Sequence, residues 1–447
     1  MRAKYGAVDT EERGDGSAQS SSEAAGRPQS PLTIQFLFLL LMCLMCLTPH
    51  YGKHSMSALA PSLIKELSIR RAQFGLIFSI QEIPNILLPI LGGFLLSRAN
   101  YGIAAVILSL LMAVGQVLCA FAVQQSSVDL MLFGRLVFGL GDSLSIMLEY
   151  SIINRWFASS YLSMAFGVAL LASRLGSFSG FAFPGILEER FGLHFAMWMA
   201  VAVSLFSLSA ATAYYAIEKK FWEPTPINGE SGEGHTRFRA LGSALSLLSL
   251  TFWLVTLLWA TLAASFFCLL DYFTDILVSR ERATAAHAGL VSGLILGFAA
   301  LISPLSGYFV DRRGNRPLLI GLSMLLLAAG IYMLKEDVSL LIAVLLISIS
   351  FGLGPVTLLS CVAIAVPTTA IPVALGFYKA SQNAGLAITH YLAGELRDRT
   401  GSYQSTLAFF TALACVGLIM SALLHIRDLT SQHRLLSKVL KQNQTAP

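Results

Sequence analysis

Charge is the scarcest property of this chain. Only 12% of its 447 residues are Asp, Glu, Lys or Arg, against roughly 25% in a soluble domain. So few charges cannot cover a water-facing surface, which excludes an ordinary cytosolic enzyme. The net charge of +5 is small and scattered, unlike the basic stripe of a nucleic-acid binder. Cysteine is sparse as well. Cys43, Cys46, Cys119, Cys268, Cys361 and Cys415 are dispersed through apolar runs, where thiols act as small packing residues and not as a disulfide framework. Cys43 and Cys46 have a redox-like spacing, but they sit mid-helix and read as packing. The chain lacks a glycine-rich phosphate loop, a dinucleotide fingerprint and a nucleophile–base constellation. Neither ATP-driven work nor catalysis is expected. No cofactor is implied, and no histidine pair has the context of a metal site.

What the chain has in abundance is apolar length. Hydrophobic residues make up 55% of it, and the mean hydropathy is +0.69. A membrane-spanning helix needs about 20 apolar residues. Twelve such runs follow one another, from about 32–52 and 72–96 to about 403–426. The expected fold is all-α and integral to the membrane, with twelve transmembrane helices in two six-helix bundles. Residues 1–31 read as a disordered cytosolic tail and 32–217 as the first bundle. The Gly- and Glu-rich stretch 218–243 reads as a cytosolic linker, 244–427 as the second bundle and 428–447 as a second cytosolic tail. Lysine and arginine gather on the side of both termini, which places those termini in the cytosol.

Four stretches repeat the pattern Gly-x-x-x-(acid or Ser)-Arg. They are Gly93 to Arg98, Gly185 to Arg190, Gly307 to Arg312 and Gly394 to Arg399, and they close the second, fifth, eighth and eleventh runs. The first and third copies end on one side of the membrane and the other two on the opposite side. That alternation marks inverted three-helix repeats, the architecture of secondary transporters. Glycine allows close helix approach, and the charges following it suit a gate. The expected gating residues are Arg98, Asp311, Arg312 and Arg316, together with Arg135 and Glu149 toward the two ends of the fourth helix.

This pattern resembles the major facilitator superfamily over nearly all of the chain after residue 31. A narrower likeness lies in Gly134-Arg135-Leu-Val-Phe-Gly139-Leu-Gly141-Asp142-Ser143, in Asn154-Arg155-Trp156-Phe157, in Ser173-Arg174-Leu175-Gly176 and in Gly376-Phe377-Tyr378-Lys379 through Gln382-Asn383. These segments are similar to the lysosomal dipeptide-transporter branch, although that branch carries Glu where Asp142 stands. The resemblance implies an endolysosomal membrane, with the plasma membrane as the alternative, a peptide or amino-acid-like substrate and a single-pass glycosylated accessory subunit. The lipid bilayer is the other expected partner, and nucleic acid is not one.

Ionisable groups inside spanning helices are costly and imply function. Asp142 and Arg174 fall near the centres of the fourth and fifth helices, at a shared depth. Two readings stand. Either they clamp the ammonium and carboxylate of a zwitterion, or they bridge each other structurally. Glu82 and Lys379, on helices 2 and 11, are expected to pair across the two halves, with Tyr378, Gln382 and Asn383 lining the same cavity. His50, His54 and Lys53 are placed at the far end of the first helix, and His287 and His390 are isolated. Asp271 and Asp275 read as solvated helix-end carboxylates. The expected function is alternating-access transport of dipeptides or similar zwitterions from lumen to cytosol. Transport of another organic solute (an organic anion or a sugar, with or without protons) and a non-transporting receptor are the alternatives.

Overall fold

The computed structural model describes residues 32–97, 99–157, 161–221, 248–280, 283–367, 370–431 and 436. The expected tail 1–31, most of the linker 218–243, nearly all of the chain beyond 431, and Arg98 lie outside the described residues. The helices in chain order are α1 (Leu32–Met45), α2 (Leu47–Ala58), α3 (Ala60–Glu66), α4 (Arg71–Ser97), α5 (Tyr101–Gln124), α6 (Val128–Phe157) and α7 (Leu162–Phe191). Then follow α8 (Leu193–Phe221), α9 (Leu250–Ser279), α10 (Ala285–Arg313), α11 (Arg316–Glu336), α12 (Leu340–Ala365), α13 (Ile371–Thr400) and α14 (Tyr403–Thr430). Taken together, α1 and α2 form the first span.

Among the described residues, ten spans are long and apolar enough to cross a membrane by length and composition. The other two, α4 and α13, have the length but carry polar residues mid-helix. Gln81, Glu82 and Asn85 on α4, and Gln382 and Asn383 on α13, are all buried. These two helices pack on each other along their length, so their polar groups meet protein and not lipid. Twelve spans result, in two halves: α1 to α8 and α9 to α14. Because the number of spans is even, Leu32 and Thr430 share one side, here called the terminal face; Arg71 and Ser279 mark the distal face. Large apolar side chains such as Leu301, Leu341 and Ile419 point outward, toward what would be hydrocarbon.

Short polar connections start the helices. Asn100 caps α5 by accepting from the Ile103 N–H at 3.1 Å, and Ser249 caps α9 from Phe252 at 3.2 Å. Such caps satisfy donors that the helix itself leaves open. Within each half, small residues let backbones touch. A Cβ on Gly115 would come within 2.6 Å of the Phe138 nitrogen and 2.7 Å of the Gly134 carbonyl. This seats α5 against α6, as small residues do wherever membrane helices approach closely.

The first span departs from the expected single helix. It breaks at Cys46, and Pro49 follows on α2. Proline has no N–H, so the helical bond that residue 49 would donate to Met45 is missing. Ser207 of α8 fills the gap, donating to the carbonyls of Met45 at 2.9 Å and Leu44 at 3.1 Å. The chain then stays helical to Ala58 and, after Leu59, through α3 to Glu66. The expected end near residue 52 is therefore corrected by some fourteen residues. Lys53 and His54 move from the membrane edge to mid-depth.

The packing of α5 on α6 generates a test. Gly115→Val forces backbone apart and should lower stability by about 1–3 kcal/mol, the range for overpacking. A thermal melt in detergent should fall by several degrees, while a Val at Gly167, which has no described atom within 4 Å, should leave the melt in place.

Candidate functional site: a buried polar cluster between two helical halves

The halves meet along α4 with α13 and α7 with α10, with α2 and α3 adding contacts to α9. At the distal face two repeat copies do the joining. Gly394 sits against the Arg71 carbonyl with no room for a Cβ. Four residues on, Asp398 accepts from the Arg71 N–H at 3.1 Å and the Ala72 N–H at 2.8 Å. Gly185 lies against Ala285 and Ala286, and Glu189 accepts from the Ala286 N–H at 3.2 Å. Each half thus caps the first turn of a helix in the other, where the helix dipole favours an anion. The glycine permits the approach, and the acid one turn later completes it.

Behind this latch the distal interface is polar but satisfied. Arg71 also pairs with Asp275 at 3.2 Å, and Tyr403 donates to the same carboxylate. Asp271 accepts from Ser57 at 2.6 Å and contacts His390 Nε2 at 2.9 Å. His54 stacks on Phe181, with ring centroids 4.5 Å apart. Asp271 and Asp275 are 1% and 2% exposed, so the expectation of solvated carboxylates is corrected. His390 is likewise not isolated. Each of these side chains lies on a helix face whose partner belongs to the other half or to a distant span.

Toward the terminal face the contacts thin on one side. α4 and α13 remain packed as far as Gly376, which lies against Pro89 and Ile90. α7 and α10 touch at Phe181–Gly289 and Phe178–Gly293, but Gly297, one turn on, has no described atom within 4 Å. Described α7–α10 contacts at these glycines therefore stop toward the terminal face, whereas the distal face is held by the Asp398 and Glu189 caps.

The expected gating residues fall differently. Asp311 is exposed and makes no ion pair with a described residue. Arg312 and Arg313 lie over the Tyr308 and Phe309 rings of their own helix, at 4.8 Å and 5.5 Å. Arg316 is buried, bonding Ser360 Oγ at 3.1 Å and the Leu436 carbonyl at 3.4 Å, so here it braces the second half. Arg135 is buried between the Phe78 and Phe138 rings, at 5.6 Å and 5.2 Å. It donates to Gln81 and to the Gly52 carbonyl. Glu149 turns into the first half, with Met45, Ala105 and Met112.

At mid-depth a charged cluster lies in the cleft between the halves. Glu82 does not pair with Lys379 in this state. It pairs with Lys53 at 2.6 Å, which the extended first span carries from the expected membrane edge to this depth. Lys379 donates to Gln382 at 2.8 Å. Asn85 bridges the carboxylates, donating at 3.3 Å to Glu82 and 3.3 Å to Asp142. Asn383 donates across the halves to the Asn85 carbonyl at 2.5 Å. Tyr378 stacks on Trp259 at 5.3 Å with planes 6° apart. Arg174 stands on the opposite wall, 5.9 Å from the Phe351 ring of the other half. Asp142 and Arg174 make no ion pair with each other. His50 packs against α7, its Nδ1 3.2 Å from Ser177 Oγ. Among the described residues no group of His, Cys, Asp and Glu is arranged to hold a metal.

A two-halved helical bundle, latched across one face and with a charged cluster between its halves, is the form of a multi-pass membrane transporter. The Major Facilitator Superfamily family model matches residues 36–390 and 277–443. The chain belongs to that superfamily. It is 27% identical over 413 residues to the lysosomal dipeptide transporter MFSD1 of Danio rerio, covering 88% of this chain and 87% of that one. The Homo sapiens protein of the same name is 25% identical over 439 residues, covering 94% and 92%. Among solved structures, a bacterial homologue of the human lysosomal transporter Spinster aligns with a TM-score of 0.67 at 14% identity, covering 88% of this chain and 97% of that one.

Two outcomes are expected. Asp398→Ala removes a cap worth about 1 kcal/mol, roughly fivefold in the ratio of distal-open to distal-closed molecules. A cysteine placed at Ala285 should label faster from the distal side, and labelling at the wild-type rate would disprove the latch. Lys53→Met strands Glu82 as a buried charge, at a cost of about 3–5 kcal/mol. The pair Lys53→Met with Glu82→Gln should melt at a higher temperature than Lys53→Met alone.

Proposed function

We propose that this transporter carries dipeptides or similar amino-acid-like zwitterions by alternating access, from an endolysosomal lumen to the cytosol. The observation carrying this reading is the separation of Asp142 and Arg174. They face one cleft at similar depth, one on each of two neighbouring helices of the first half, and neither neutralises the other. A carboxylate and a guanidinium held apart match the two ends of a short peptide. The guanidinium takes a carboxylate through two parallel N–H bonds. The structural-bridge alternative needs a direct contact that is absent in this state.

The printed names of the relatives support the substrate class and the compartment. The lysine and arginine bias supports cytosolic termini, which makes the terminal face cytosolic and the distal face lumenal. In that frame the present state is latched at the lumenal face. Substrate enters when the Asp398 and Glu189 caps release, and leaves through the cleft between α7 and α10. Asp311, exposed here, is then free to take part in sealing the cytosolic face, and the third repeat copy is placed to do so. Binding must favour neither end state strongly, since a ligand shifts such an equilibrium only by its differential affinity.

Uptake of a labelled dipeptide into proteoliposomes tests the assignment. Asp142→Asn and Arg174→Ala should each lower uptake at least about tenfold, the effect of losing 1.4 kcal/mol or more of binding, with unchanged expression and melting temperature. Wild-type rates in both variants would move the site elsewhere.

A further inference from the structure

The cleft holds more positive charge than a neutral dipeptide answers. Building on the dipeptide reading above, we propose that the preferred substrate carries one ammonium and two carboxylates: a dipeptide with an acidic side chain. The case is a count of charges and partners. Lys53 and Glu82 satisfy each other at 2.6 Å. Arg135 is enclosed by Phe78 and Phe138 and bonded to Gln81. Glu149 faces the interior of the first half, and the His390–Asp271 contact belongs to the distal interface. Three charged groups remain that face the cleft and make no ion pair with a described residue. Asp142 meets only the Asn85 amide, at 3.3 Å. Lys379 meets the neutral Gln382, at 2.8 Å. Arg174 meets the face of Phe351.

One anion and two cations thus await partners. A zwitterion without a charged side chain neutralises Asp142 and one cation, and it leaves the other cation desolvated when the cleft closes. An uncompensated buried charge is strongly unfavourable, so closure around such a substrate is impaired. A second carboxylate removes that penalty. The geometry also separates the two cations. From the rise of 1.5 Å per residue, Lys379 lies about 10 Å nearer the terminal face than the centre of α13, and Arg174 about 4 Å nearer it than the centre of α7, a difference in depth of about 6 Å. One carboxylate on Arg174 and another on Lys379 therefore come from different parts of the ligand, as a backbone carboxylate and a side-chain carboxylate do. Gln382 holds the Lys379 ammonium in place until the carboxylate arrives.

The test is uptake by the full-length protein in proteoliposomes, using labelled Ala-Ala, Ala-Glu and Ala-Lys at one pH on both sides. Expected is the order Ala-Glu, Ala-Ala, Ala-Lys, with KM lowest for Ala-Glu by about tenfold, the factor corresponding to 1.4 kcal/mol. Lys379→Gln should collapse the ratio of Ala-Glu to Ala-Ala uptake toward one, and Lys379→Arg should restore it. Glutarate, which lacks the ammonium, should compete less well than Ala-Glu. Equal handling of Ala-Glu and Ala-Ala by the wild type would overturn the inference while leaving the dipeptide reading standing. So would a Lys379→Gln variant with an unchanged ratio. Absence of uptake for all three peptides would instead bring down the dipeptide reading, and this inference with it.

Discussion

Carboxylates capping helix ends across the two halves set the terms for the rest of this molecule. The first-turn N–H groups of α4 and α10 have no partner within their own helix, and a bilayer offers none. Asp398 and Glu189 supply one, each from the opposite half, and the glycines one turn earlier bring the backbones close enough for them to reach. Separating the halves at the distal face exposes these donors, so the motion must admit water there. Rotation of two preformed bundles satisfies that condition. Piecemeal unwinding of either helix does not.

The polar interior is arranged in two grades. Arg135, Asp271 and Asp275 have close partners fixed by packed aromatic rings, and they hold α2, α4, α6, α9 and α13 in register. Asp142, Arg174 and Lys379 are held by neutral or aromatic groups alone. What separates the grades is burial: Arg135, Asp271 and Asp275 are fully buried, whereas Asp142, Arg174 and Lys379 are only half-buried. In the proposed cycle the ligand brings the opposite charges that these three groups lack. Rigidity in the first grade and incompleteness in the second are the same design seen from its two ends.

Much of this was legible in the sequence. The apolar runs gave the spans and the spacing of Gly-x-x-x-acid gave the inverted repeats, while the isolated charges at mid-helix single out Asp142 and Arg174, whose role is a proposal. Three features were hidden, each for a physical reason. Lys53 was misplaced because an apolar run does not show how far its helix continues, and this one stays helical through polar residues to Glu66. Asp271 and His390 looked solvated or solitary because helical periodicity gives the face a residue occupies but not the neighbour that face meets. The repeat charges suit a gate in the sequence, but at the distal face the partners of the acids are backbone N–H groups, which every sequence contains and none advertises.

The repair of the first span by Ser207 has a consequence for biogenesis. The carbonyls of Leu44 and Met45 are exposed by the break before Pro49, and their donor lies 162 residues further along the chain from Met45. A nascent first span enters the bilayer with those groups unmatched, each worth several kcal/mol in hydrocarbon. It stays an unfinished element until the sixth span has been synthesised and inserted beside it. The first half therefore closes as a unit from its last helix back to its first, and the insertion machinery must shelter the opening segment throughout that interval.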